Sequence, residues 1–257
     1  MNDIKPKNIN YPPPTGRYKV KILSNCPWKG VSNIRLGISL GGSYPEEDRL
    51  FALLEWADAR FDNVDILVAD SIHRHNIMFE RSIDESFALE LAMAEGDDWI
   101  DRNEAIFSTL KSYKIHRLNE LKCHSEFIKL HSDFKALFLD DSTFQTLIKQ
   151  DIDSMWARRV KYNKLQPEAS FDDFFEHSKN YILEELAIMD IFIAMFPGVE
   201  AYPGTFLSVL SSPERFSIKG FPKRLIDFPL IEVDFTRNKA FEQQKDFATE
   251  IGEFAHE

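Results

Sequence analysis

Cysteine is scarce in this chain. Cys26 and Cys123 are the two, far apart and without C-x-x-C spacing. A zinc ribbon or a redox pair therefore has no motif to stand on, and two reduced thiols are expected. Long apolar runs are absent as well. No stretch reaches the roughly 18 apolar residues that mark a membrane helix. Residues 1–17 are polar, contain Pro12-Pro13-Pro14 and lack the apolar core of a secretion signal. Positive charge is in deficit: 31 Lys and Arg stand against 42 Asp and Glu, a net charge of −11. Proteins that coat DNA read basic, so the balance speaks against DNA and leaves room for RNA held on a local basic patch. These absences predict a soluble, cytoplasmic protein with neither a membrane nor a DNA partner.

What is present is core material. Of 257 residues 44% are hydrophobic, and 22 are Phe. Residues 1–16 read as a flexible arm that ends in a turn at Pro14-Thr15-Gly16, and 17–257 as one α/β domain without internal repeat or linker. Residues 18–23 alternate and suit an edge strand. Residues 34–38 form a short apolar strand interrupted by Arg35, which runs into the small-residue turn 39–44. A helix is expected from Pro45, with Glu46, Glu47 and Asp48 complementing its N-terminal dipole. The run 64–69 reads as a buried parallel strand ending at Asp70. Strand, tight turn, helix and strand make the first unit of a doubly wound, Rossmann-like sheet flanked by helices, and such sheets bind ligands at the carboxyl ends of their strands. Further on, 83–113 reads as helical with a break at Gly96-Asp97-Asp98. A strand is expected at 115–118, helices at 126–138, 144–160 and 172–196, and strands at 199–202 and 230–235.

Several groups could carry chemistry. Gly37-Ile38-Ser39-Leu40-Gly41 matches G-x-S-x-G, a sharp strand-to-helix turn that exposes a hydroxyl to a carbonyl and lets backbone N–H groups approach it. The same pattern also serves as a plain connecting turn. A serine hydrolase needs an acid and a histidine downstream, yet none of His116, His124, His131, His177 or His256 has a distinctive setting. Tyr181 and Glu185, four apart, share a helix face and together suit an ammonium group. A core tyrosine beside a surface glutamate would look the same in sequence. Glu184 falls on another face and is expected to be a neutral control for Glu185. Tyr202-Pro203-Gly204 ends a strand. Arg158-Arg159 with Lys161 and Lys164 is the densest basic run. Asp70, His73, Arg74 and His75 invite a metal, but no second spaced ligand pair supports one.

Taken in order, Gly37-Ile38-Ser39 with Gly42-Ser43-Tyr44, then 55–61 with 64–67 and Asp70, then Tyr181 with Glu185, then Tyr202-Pro203, resemble the cyclodipeptide synthase family over roughly residues 30–235. The resemblance implies a fold similar to the catalytic domain of class I tyrosyl- and tryptophanyl-tRNA synthetases, without their ATP-binding signatures and with no cofactor. It makes Ser39 the nucleophile, Tyr181 and Glu185 the pair that grips the aminoacyl ammonium, and Tyr202 an active-site tyrosine. Gly42 and Pro203 are similar to the pattern of the XYP subfamily. The implied reaction takes two aminoacyl-tRNAs. Ser39 accepts one acyl group, the amine of the second substrate attacks it, and the resulting dipeptidyl ester closes to a cyclic dipeptide. A monomer is expected. The alternatives are a serine hydrolase and a catalytically silent RNA-binding protein.

The chain departs from the family pattern at three places. The family often carries a strongly basic helix for tRNA after the second strand, whereas this chain reads Ala94-Glu95-Gly96-Asp97-Asp98 there, so Arg158, Arg159 and Lys161 are expected to take more of the tRNA. Phe127 stands where the family has a tyrosine. By alignment Arg35, Leu67, Leu118, Ile188 and Glu200 line the first substrate pocket, where better-known members are apolar at positions 35 and 200, and Gly37, Gly42 and Pro203 are expected to bind substrate as well. Two opposite charges facing a cleft are expected to pair and to favour a small or polar first amino acid.

Overall fold

The computed structural model describes residues 16–23, 28, 30–41, 47–162, 164–166, 168–203, 206–227 and 229–238. Residues 1–15 of the expected arm, Cys26, Gly42, the helix start at Pro45 and His256 lie outside them. The strands are β1 (Tyr18–Ile22), β2 (Asn33–Ser39), β3 (Asn63–Ala69), β4 (Tyr113–Arg117), β5 (Val199–Pro203) and β6 (Leu230–Arg237). The helices are α1 (Glu47–Asp58), α2 (Arg74–Arg81), α3 (Glu85–Phe107), α4 (Leu118–Leu121), α5 (Phe127–Asp140), α6 (Ser142–Lys161), α7 (Phe171–Met195), α8 (Ser208–Ser211) and α9 (Lys223–Asp227).

All six strands join one sheet in the order β1-β6-β5-β2-β3-β4. Every pairing is parallel except that of edge strand β1 with β6. The central strands are covered on both faces, which is why β2 and β3 read as near-continuous apolar runs. On one face α1 and α3 pack Leu50, Leu53, Leu54, Trp99 and Phe107 against Ile34, Leu36 and Val68. On the other, α5, α6 and α7 bring Phe134, Phe144, Ile182 and Leu186 against Leu67 and Ala69. Among the described residues no helix is long and apolar enough to cross a membrane.

Topology places the site. The chain builds β2, β3 and β4 outward in one direction, then returns to lay β5 on the other side of β2. The order reverses between β2 and β5, the position where open α/β sheets bind ligands. These two strands pair over three residues only, Ile34 with Val199, Arg35 with Glu200 and Leu36 with Ala201. Beyond Leu36 they part, and the cleft opens between Gly37 and Ser39 on one strand and Tyr202 on the other.

Two expectations fail. The helix spanning 83–113 has no break at 96–98: α3 runs unbroken from Asp84, which caps Phe87 N, to Phe107, and Tyr113 already belongs to β4. Gly96 is buried in its middle, where a Cβ would come within 2.9 Å of both Asp70 Cβ and Arg117 Nη2. It is a close-packing glycine and not a helix breaker. Leu118, expected at a strand end, instead opens α4.

Candidate active site

Ser39 closes β2, and Gly41, two residues on, has φ +75, a left-handed turn that glycine adopts without strain. Behind this turn lies a cavity of about 310 Å3. The four residues given catalytic roles from sequence all line it: Ser39 from β2, Tyr181 and Glu185 from α7, and Tyr202 from β5. Ser39 Oγ is 3.3 Å from the Tyr202 hydroxyl. Ser39 also hydrogen-bonds Tyr181. Ser39 stands more than 140 positions from the other three in sequence, and the switch point between β2 and β5 brings them together.

The electrostatics separate their roles. Burial, followed by the neighbouring Glu200 and Asp151 carboxylates, pushes Glu185 up to about 7. Such a group can gain or lose a proton near neutrality. Burial first, then Glu185 and Tyr202, drives the Tyr181 phenol well above its usual range, so Tyr181 remains a neutral hydrogen-bonding partner for Ser39. Burial also raises Glu200, opposed by Arg35.

The expected pairing is present: Arg35 Nε donates to Glu200 Oε2 at 3.0 Å, both side chains being buried. Its placement needs correction, however. Glu200 lines the cavity, whereas Arg35 sits behind it and donates through Nη1 to the Phe196 carbonyl at 2.6 Å. Gly37, Leu67, Leu118 and Ile188 line the cavity. Pro203 does not; it is buried in β5 opposite Val233. Gly42 lies outside the described residues.

The basic run divides. Arg158 is exposed at the cavity wall, and its guanidinium makes no ion pair or hydrogen bond among the described residues. Arg159, though it touches the cavity, is pinned to Glu80 at 2.6 Å and lies over the rings of Phe79 and Phe174. Lys161 is exposed at the end of α6, near the Tyr162 ring and off the cavity wall. Sequence reasoning missed much of the rest of the wall, Asn76, Met155, Phe206 and Leu207 among it. Met155 and Arg158, three apart on α6, share a helix face, and that spacing was the available signal.

Glu184 does point away from Glu185, but it is no neutral surface control. It is 1% exposed and gripped by Arg74 at 2.8 and 2.9 Å, Lys122 at 2.8 Å and His75 at 3.2 Å. These contacts hold its carboxyl far below the usual range against the cost of burial. The same network engages Arg74 and His75, while Asp70 accepts from Arg117 and Ser71 N, and His73 pairs with Glu95 at 3.1 Å. Among the described residues no group of three His, Cys, Asp or Glu is placed to hold a metal. No described histidine lines the cavity either. His73, the one beside Gly41, is bonded to Glu95, and His116 is turned to Asp65 at 2.8 Å. Ser39 thus has two phenols and a carboxylate about it where a hydrolase would have an imidazole.

Solved structures share this architecture. The cyclodipeptide synthase of Fluoribacter dumoffii is 22% identical with a TM-score of 0.76, over 86% of this chain and all of that one. A cyclodipeptide synthase from Candidatus Glomeribacter gigasporarum, bound to Phe-tRNAPhe, is 18% identical with a TM-score of 0.61, over 80% of this chain and 88% of that one. A Mycobacterium tuberculosis protein, whose structure is said to demonstrate that cyclodipeptide synthetases are related to type I tRNA synthetases, is 16% identical with a TM-score of 0.58, over 87% and 94%. At these identities the likeness speaks for the fold. A search of curated proteins finds no match. The family model described as cyclodipeptide synthase matches residues 23–193, from ahead of β2 through nearly all of α7. With well over half of its length matched, the chain belongs to the cyclodipeptide synthase family of tRNA-dependent aminoacyl transferases.

Proposed function

We propose that this enzyme joins amino acids from two aminoacyl-tRNAs into a 2,5-diketopiperazine by a ping-pong route through an aminoacyl ester on Ser39. The observation that carries the reading is Ser39 Oγ at the mouth of the β2–β5 cleft, 3.3 Å from Tyr202, with Glu185 poised near neutrality in the same cavity. Ser39 attacks the ester carbonyl of the first aminoacyl-tRNA. The acyl group moves to Oγ, and the displaced tRNA hydroxyl takes up a proton. One ester is exchanged for another, so no further activation is required. An amine of one residue then attacks the ester of the other, and the remaining amine attacks the remaining ester. Two amides replace two esters, both tRNAs leave, and Ser39 recovers its proton. Glu185 holds the first ammonium and passes protons; Tyr181 and Tyr202 orient the acyl group. The tRNA-bound relative supports the choice of substrate. Gly42 and Pro203 fit the XYP subfamily. Arg158, exposed at the cavity wall, is the cation of the 158–161 run set to meet a tRNA acceptor end, with Lys161 exposed off that wall.

The test is mass spectrometry of rapidly quenched enzyme. An aminoacyl adduct is expected on the peptide carrying Ser39, and Ser39→Ala is expected to keep its fold and form no cyclic dipeptide. Full activity in Ser39→Ala would sink the ester mechanism.

A further inference from the structure

Asp151, on α6, does not line the cavity, and apart from its charge acting on Glu185 it has been given no part so far. It is 9% exposed, and its carboxylate is unusually well served. The backbone N–H of Ser208 donates to Oδ1 at 2.9 Å and to Oδ2 at 2.8 Å, and the Ser208 hydroxyl donates to Oδ1 at 2.7 Å. The Val209 N–H is directed at it as well. These donors open α8, a helix of four residues whose own N-cap, Leu207, supplies no side-chain bond. So short a helix does not hold itself, because nucleation costs more than one turn returns. Asp151 caps it from another element.

The contacts continue from there to the reacting atom. Phe206 and Leu207, just ahead of α8, line the cavity. The Phe206 ring lies against Tyr202 at a centroid distance of 5.0 Å. The Tyr202 hydroxyl reaches Ser39 Oγ. We propose that Asp151 is a positioning residue: it ties the 206–210 wall to α6 and thereby fixes the angle of Tyr202 over Ser39. The inference rests on the reading that Ser39 carries the aminoacyl ester. A second observation is independent of the tether. The charge of Asp151 acts on Glu185 and helps to raise it. The groups facing Glu185 are Glu200 from β5, backed by Arg35 from β2; Asp151 from α6, itself faced by Arg158; and Tyr181 on its own helix. A cap with no bearing on the reaction would leave the pH profile where it was.

The test compares product formation across pH by the parent, Asp151→Asn, Ser208→Ala, Ser208→Thr and Ser39→Ala. Ser208→Ala removes one hydrogen bond to a charged group and is expected to lower kcat about ten-fold, with little change in KM for aminoacyl-tRNA. Ser208→Thr keeps the hydroxyl and should recover most of that loss. Asp151→Asn should lower kcat further and move the acid limb of kcat/KM down by about half a pH unit, since a negative charge near Glu185 is gone. Ser208→Ala retains the carboxylate and its backbone bonds, so it reports even where Asp151→Asn does not fold. An unchanged kcat in Ser208→Ala, a threonine variant as poor as alanine, or an acid limb in folded Asp151→Asn that coincides with the parent's would overturn the proposal. Survival of activity in Ser39→Ala would overturn the ester reading instead, whatever the Asp151 series gives.

Discussion

Two adjacent glutamates on α7 show how environment divides identical side chains. Glu184 is enclosed by Arg74, Lys122 and His75, and Glu185 faces the cavity among other carboxylates. Glu184, its pKa depressed in the folded state, contributes stability that is present above the unfolded value of about 4.3 and lost as pH falls below it. Glu185 is the reverse. Its folded value near 7 lies above the unfolded one, so its contribution is complete below about pH 4.3 and lost as pH rises toward 7. Glu184→Gln removes the buried carboxylate that Arg74 and Lys122 share, leaving Arg74 only its partly exposed tie to Glu85, and is expected to cost about 3–5 kcal/mol at pH 7. Glu185→Gln removes a carboxylate that ionises at a cost, so it should melt higher than the parent at pH 8 while product formation falls at least about ten-fold. Thermal melts at pH 4 and pH 8 beside product assays separate the two. Equal activity losses without a stability difference would show that the two faces of α7 had been exchanged.

At the scale of elements, glycines mark where backbones meet. A Cβ on Gly198 would collide with the Asn33 carbonyl at the start of β2, and backbone cannot swing aside. Gly198→Ala should therefore destabilise by about 1–3 kcal/mol in a denaturant melt. At Gly37 a Cβ would sit 3.5 Å from Glu200 Oε1 and 3.8 Å from Tyr202, ordinary contacts that fill the cavity. Gly37→Ala should fold normally and lose activity, a contrast that would vanish if Gly37 faced away from substrate. Much of this level was legible in the sequence. The apolar runs 34–38 and 64–69 gave β2 and β3 to within a residue or two, and periodicity with Pro197-Gly198 gave α7. Gly96 was misread because its reason lies elsewhere in the chain, in Asp70 and Arg117. The Glu184 cage and the Asp151 tether were unreadable for the same cause: each assembles partners from elements distant in sequence, and spacing along one helix reports only its own face.

Across the whole molecule an acidic protein must still receive an acidic polymer. Where the family often has a basic helix, α3 presents Glu90, Asp98 and Asp101 to solvent, and Asp97 is occupied by Arg117. A modest affinity that falls steeply with salt is expected, because few cations act against this background. The two arginines at the end of α6 should respond differently. Arg158→Glu is expected to weaken tRNA binding and to flatten the salt dependence by about one contact, with melting unchanged. Arg159→Glu replaces the tie to Glu80 with a like-charge contact and sets a carboxylate where a cation lay over two ring faces, so it should also lower the melting temperature. Filter binding at several salt concentrations, with melts alongside, reads both. Equal stability in the two variants would mean that Arg159 is as free as Arg158.

The Arg35–Glu200 pair is also the middle rung of the three that join β2 to β5. Glu200, one of the polar side chains on the cavity wall, therefore belongs to a bond across the centre of the sheet, and if it selects substrate, a change of specificity there would be tied to folding. Arg35→Leu alone leaves a buried carboxylate on the cavity wall, and Glu200→Leu alone leaves a buried guanidinium; each should cost about 3–5 kcal/mol. The double variant to Leu should regain most of that stability and turn the product spectrum from small or polar residues toward Phe, Leu and Met. Substrate range in this lineage would then change by paired substitution, with each single step held back by selection on folding before selection on product could act.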